Sequence, residues 1–115
     1  MFKKNVEINI TMVKKSEMKK INFKYKNKKK PTNILSFSYN YYKKTKQNFI
    51  GDIIICNSII YEESLQQKKK LISHWAHIII HGSLHLLGYN HSNNKKMEKL
   101  EKKIMKKLGY KDPYI

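Results

Sequence analysis

Five histidines fall at positions 74, 77, 81, 85 and 91, the first four spaced by three, four and four residues. At about 100° per residue this spacing lays four imidazoles along one stripe of a helix. His81 and His85 form an i, i+4 pair, the arrangement in which two rings can turn toward one ion. Gly88 is a natural helix terminator, so the chain can swing back and offer His91 as a third ligand. Three imidazoles leave a fourth zinc position for water, the layout of a catalytic site rather than a structural one. Zinc lowers the pKa of such a water to about 7, which supplies a nucleophile at neutral pH. The expectation is one zinc ion per chain on His81, His85 and His91, used for hydrolysis. Unrelated histidines on a core helix are the competing explanation. The glycine stop and the third histidine at this offset weigh against it. His77, one turn before His81, is a candidate neighbour of the metal shell or of substrate. His74 is read as structural.

Written as His81-x-x-x-His85-x-x-Gly88-x-x-His91, the spacing equals that of the metzincin zinc peptidases, H-E-x-x-H-x-x-G-x-x-H. The peptidase general base would stand at position 82, where this chain has Gly82. Glycine cannot accept a proton. The metal ligands are kept, the peptidase base is not, and the chemistry moves to another substrate.

The formal charge is +17, which suggests a polyanionic partner, nucleic acid first and anionic membrane second. All 25 basic residues are lysine, a pattern that AT-biased coding also produces. Lysine gives a point charge, not the planar fork that grips phosphate at two points. The chain contains no run of 18 apolar residues that would span a membrane, and no apolar segment after Met1 that would read as a secretion signal. Cys56 is the single cysteine, so no internal disulfide can form, which fits a reducing, cytoplasmic setting.

The elements that must position the histidines follow from pattern. Val6, Ile8 and Ile10 alternate with polar residues and predict a half-buried strand. Ser16 is the expected N-cap of a helix to about residue 26 with Met18, Ile21 and Tyr25 on one face, followed by a basic loop to Lys30 that Pro31 ends. Ile34–Tyr39 and Gly51–Cys56 read as further strands. The continuous apolar run from Ile53 predicts a strand covered on both faces. Glu62–Leu87 reads as one long helix, buried in its second half, with Leu65, Leu71 and Ile72 among its apolar positions. A last helix, capped by Ser92 or Asn93, carries Met97, Leu100, Ile104 and Leu108 as its apolar stripe. The expected architecture is a single α/β (α+β) domain over residues 1–115: a small mixed sheet with packed helices and a long central helix bearing the histidines.

The stretch His81-Gly-Ser-Leu-His85-Leu-Leu-Gly88-Tyr-Asn-His91 resembles the signature of the YbeY family, H-G-x-L-H-L-x-G-Y-D-H. Pro31-Thr-Asn-Ile-Leu-Ser-Phe37 is similar to its P-T-D-V-L-S-F. Gly51-Asp52-Ile53, Trp75-Ala76-His77, and Leu108-Gly109-Tyr110 with Asp112-Pro113-Tyr114 match further stretches, so the likeness runs from about residue 6 to residue 114. It implies a metal-dependent endoribonuclease specific for single-stranded RNA, with zinc held by the three histidines. It also implies action in 16S rRNA 3′-end maturation and ribosome quality control, the small ribosomal subunit as partner, and neither membrane nor DNA. Lys26 stands where the family has an arginine implicated in cleavage, and it inherits the candidate role of stabilising charge on the phosphate. Asn90 and Asn33 stand where the family has aspartates. Tyr39, Tyr41 and Tyr42 beside Lys43 and Lys44 are candidate stacking surfaces for bases. Ser36 and Asp52 are candidate cleft residues. A ribosome- or RNA-binding factor with a purely structural zinc, and a metal hydrolase of a non-RNA substrate, stay open as alternatives.

Overall fold

The computed structural model describes residues 7–38, 49–89, 92 and 94–115. Its elements run β1 (Glu7–Met12), α1 (Lys15–Lys26), β2 (Ile34–Ser38), β3 (Phe49–Ile55), α2 (Asn57–Gln66), α3 (Leu71–Leu86) and α4 (Asn94–Lys107). The three strands form one mixed sheet in the order β1-β3-β2, with β1 parallel and β2 antiparallel to the central β3. The α/β architecture is the one expected.

β3 is covered on both faces, as its apolar run predicts. Successive side chains of a strand point to opposite faces. Ile53 and Ile55, both fully buried, pack with Ile60 of α2 and with Ile78 and Leu86 of α3. Ile54 points the other way, to the cluster of Met18, Leu35 and Cys56, which Ile21 of α1 also joins. α1 therefore lies on one face of the sheet and α3 on the other. β1 is less covered than its alternation suggests. Ile8 packs against the α3-side core, but Ile10 is 51% exposed.

α1 begins before Ser16. Lys14 is the N-cap, in extended conformation and without a side-chain cap bond. Val13 donates its N–H to the Ile55 carbonyl at 2.8 Å. This ties the end of β1 to β3, so the chain enters the helix at once and Ser16 falls inside the first turn.

The long helix expected over Glu62–Leu87 is two helices. Lys68 adopts a left-handed conformation, φ 55°. The N–H of Lys69 reaches the Ser64 carbonyl at 2.9 Å and that of Lys68 the Leu65 carbonyl at 3.3 Å. This pair of bonds closes a helix through a left-handed residue. Leu65 and Ile72, on either side of the break, are 61% and 66% exposed, so the apolar stripe drawn through them is not a core face. The break lets α3 start afresh and lie along the sheet. In α4 the buried positions are Met97, Glu101 and Met105, whereas Leu108 is 60% exposed. The buried stripe is thus rotated from the one expected, and a carboxylate sits at its centre. No helix among the described residues is long and apolar enough to cross a membrane.

Candidate metal centre

α3 carries His74, His77, His81 and His85 along one side, and α4 packs against that side. His81 Nδ1 lies 3.2 Å from Glu101 Oε1. His85 Nδ1 lies 2.9 Å from the Tyr89 carbonyl. Carboxylate and carbonyl oxygens only accept, so each Nδ1 carries the proton and each Nε2 presents a lone pair. Those two Nε2 atoms face each other at 3.1 Å. Two lone pairs at that distance repel unless a proton or a metal cation lies between them.

The tautomer of His85 is set by the way α3 ends. Gly88 has φ 104°. Gly88 N–H bonds the His85 carbonyl and Tyr89 N–H the Leu84 carbonyl, both at 3.1 Å. This closure turns the chain so that the Tyr89 carbonyl meets the His85 ring. Glycine adopts the required positive φ without the Cβ penalty.

Glu101 governs the other side. It is 1% exposed and accepts from His81, from His77 Nε2 and from the Tyr114 hydroxyl, the last at 2.7 Å. Burial alone pushes its carboxyl pKa up. Hydrogen bonds from His77, His81 and Tyr114, with the charge of His77, outweigh burial and lower it to about 2. The same contacts raise the Tyr114 hydroxyl above its ordinary value, through burial first and then the Glu101 hydrogen bond. An ionised carboxylate on the far nitrogen of a metal-binding imidazole fixes the ring and makes it a better donor.

This donor set suits a divalent ion of the zinc type, for which imidazole nitrogen is a preferred ligand. Two nitrogens held about 2.0–2.1 Å from one tetrahedral zinc stand about 3.3 Å apart, close to the separation seen. The His81 side chain is 36% exposed, so ion and substrate can reach it. Among the described residues no group of three His, Cys, Asp or Glu side chains forms a metal cluster. His91, the expected third ligand, and Asn90 lie outside the described residues.

Residues 1–109 match the family described as Endoribonuclease YbeY. The chain belongs to the YbeY family. Among curated relatives, Endoribonuclease YbeY of Buchnera aphidicola subsp. Acyrthosiphon pisum is 55% identical over 117 residues, which cover 98% of this chain and 76% of the relative. The protein of the same name from Wigglesworthia glossinidia brevipalpis is 48% identical over 118 residues, covering 99% and 78%. Among solved structures, the solution structure of TM1509 from Thermotoga maritima superposes with a TM-score of 0.63 at 27% identity. The match covers 86% of this chain but only 65% of that one.

Within this YbeY chain the expected residues separate. His81 and His85 come together, and His77 joins them through the carboxylate it shares with His81. His74 is buried and bonds Glu63 Oε1 at 3.0 Å. Lys26 ends α1, exposed, with no hydrogen bond or ion pair among the described residues. Ser36 donates to the Gly82 carbonyl at 3.1 Å, a link between β2 and α3. Asp52 stands in β3 opposite Asn9 and Phe37. Tyr39, Tyr41, Tyr42, Lys43 and Lys44 lie outside the described residues.

Gly82 has a structural reason beyond a missing base. A Cβ there would come within 2.5 Å of Ile34 Cδ1 and 3.1 Å of Ser36 Oγ. The position faces β2 at close approach, not the histidine stripe. Glu101 and Tyr114 are the site residues that sequence reasoning missed. The signal for Glu101 was weak: a charged residue four positions after Met97 and four before Met105 on an amphipathic helix. Such a residue is ordinarily solvated.

Proposed function

We propose that this chain is a zinc-dependent endoribonuclease acting on single-stranded RNA. We place it in 16S rRNA 3′-end maturation and ribosome quality control, in the cytoplasm, with the small ribosomal subunit as partner. Family membership supports the ribonuclease class, because the curated relatives carry that name. The observation that carries the metal half is the pair of Nε2 lone pairs facing each other at 3.1 Å, each ring fixed by an acceptor on its Nδ1.

His81 and His85 would hold the ion, with His91 as third ligand. When bound, zinc supplies Lewis acidity at a phosphoryl oxygen and lowers the pKa of water. Glu101 keeps Nδ1 of His81 protonated and the ring in place. His77 and Tyr114 keep Glu101 ionised. Lys26, exposed at the end of α1, is the proposed cation for charge developing on the phosphate. The surrounding lysines draw the strand in electrostatically.

A binding factor with a purely structural zinc is the second reading. Lysine at position 26, a point charge without arginine's planar fork, favours it. One experiment separates the two: cleavage of a single-stranded RNA by zinc-loaded protein and by His81→Ala and Lys26→Ala variants. The ribonuclease reading expects His81→Ala to abolish cleavage and Lys26→Ala to reduce it. Equal residual cleavage in all three would mark a contaminating nuclease and sink the reading. RNA binding without zinc-dependent cleavage would establish the binding factor instead.

A further inference from the structure

From Phe23 to Lys30 every residue is exposed. This stretch ends α1 and turns toward β2. It carries Lys24, Lys26, Lys28, Lys29 and Lys30, and no acidic residue stands between Glu17 and Asp52. Lysines alone would make an ordinary solvated surface. Two aromatic rings set this one apart, since Phe23 is 46% exposed and Tyr25 58%. Rings left in water give the fold little of the burial energy of a core aromatic, so packing does not account for their placement.

The rings are held in place and each has a cation at its side. Tyr25 meets Phe37 of β2 edge to face, with centroids 5.1 Å apart and planes at 66°. Lys24 Nζ lies 5.4 Å from the centre of the Tyr25 ring, and Lys29 Nζ lies 6.0 Å from that of Phe23. Asn22 fixes the chain that follows the rings. It is 2% exposed, and its Nδ2 donates to the Lys30 carbonyl at 2.7 Å. Asn27, left-handed at φ 55°, returns its N–H to the Phe23 carbonyl at 3.0 Å. The lysines after Asn27 therefore stand on a closed turn beside the rings.

We propose that Phe23 and Tyr25 form a base-stacking platform for a nucleic-acid single strand, with the lysines of this turn holding its phosphates. The assignment deepens the ribonuclease reading above and rests on it. Every base has a flat face, so exposed rings take a single strand without reading its sequence while ammonium groups track its backbone. A duplex hides those faces in its own stack. An acidic peptide would match the charge but has no run of flat faces to set against two rings. β2 joins the platform to the histidines. Phe37 meets Tyr25, and the adjacent Ser36 donates to the Gly82 carbonyl, one residue from His81.

The test measures affinity for two short 2′-deoxy single strands of equal length and charge, one with bases and one with abasic sugars throughout. The proteins are the full chain and its Tyr25→Leu, Tyr25→Phe and Phe23→Leu variants, each checked for folding by its urea midpoint. The parent should bind the base-bearing strand more tightly than the abasic one. Tyr25→Leu and Phe23→Leu should each weaken binding of the base-bearing strand roughly tenfold and leave the abasic strand unaffected, because the lysines are untouched. Tyr25→Phe keeps a flat ring and should retain the parent affinity. If Tyr25→Leu does not fold, Phe23→Leu carries the same comparison. Equal affinity of the parent for the two strands would overturn the platform and leave only electrostatic attraction. So would a loss that is the same for both strands, or no loss in either leucine variant. The ribonuclease reading fails separately, by absence of zinc-dependent RNA cleavage in the parent. Base-dependent binding that persists in that case leaves the platform standing on a protein that holds single strands without cutting them.

Discussion

His81 Nε2 and His85 Nε2 face each other at 3.1 Å while the opposite nitrogen of each ring is committed to an oxygen acceptor. One acceptor comes from the turn that ends α3, the other from a carboxylate on α4. The two elements flanking the histidine helix therefore fix its tautomers, and the tautomers turn the two Nε2 atoms toward each other.

Glu101→Gln should weaken zinc binding by about 10- to 100-fold. The amide can still accept from one ring but carries no charge, and it cannot accept from His77, His81 and Tyr114 together. Competition against a chelating dye gives the affinity. An unchanged value would remove Glu101 from the metal site.

Acid should destabilise the zinc-free protein through the same residue. Its folded pKa of about 2 lies below the ordinary 4.5. The stabilisation is therefore fully present above about pH 4.5 and is lost as pH falls toward 2. It amounts to about 3 kcal/mol. Urea unfolding at stepped pH should show a steep loss in the parent and a shallower one in Glu101→Gln. Parallel curves would place the acid sensitivity elsewhere.

Much of this fold is legible in the sequence because local pattern and tertiary packing agree there. The Ile53–Ile55 run is a buried central strand, and Gly88 stops α3 where a left-handed residue is needed. The division of Glu62–Leu87 was not legible. Lysine at position 68 takes a conformation usually left to glycine or asparagine, so no turn residue announced it. The juxtaposition of His81 and His85 could be read from its period, whereas Glu101 could not. Its burial depends on which face of α4 meets α3, and that is a tertiary fact.

Lys68→Gly should stabilise the protein by about 1 kcal/mol, because glycine adopts the left-handed conformation without the Cβ clash. Lys68→Val should destabilise it by a similar amount or more. Urea midpoints decide. A destabilising glycine would argue that α2 and α3 are not divided at this residue.

Restoring the peptidase base should fail. Gly82→Glu drives a side chain into Ile34 and Ser36 and buries an unpaired carboxylate, at a cost of about 3–5 kcal/mol. Thermal unfolding should show a large loss, and assays on casein no peptidase activity. A stable variant with peptidase activity would contradict the packing described for α3 on β2.

X-ray absorption at the zinc edge tests the metal centre most directly, on protein loaded with one equivalent and on His81→Ala and His85→Ala variants. The prediction is one ion with three imidazole nitrogens at about 2.0–2.1 Å and one oxygen ligand, with zinc lost from both variants. Zinc that fails to bind, or that stays bound with the same shell after either histidine is removed, would contradict it.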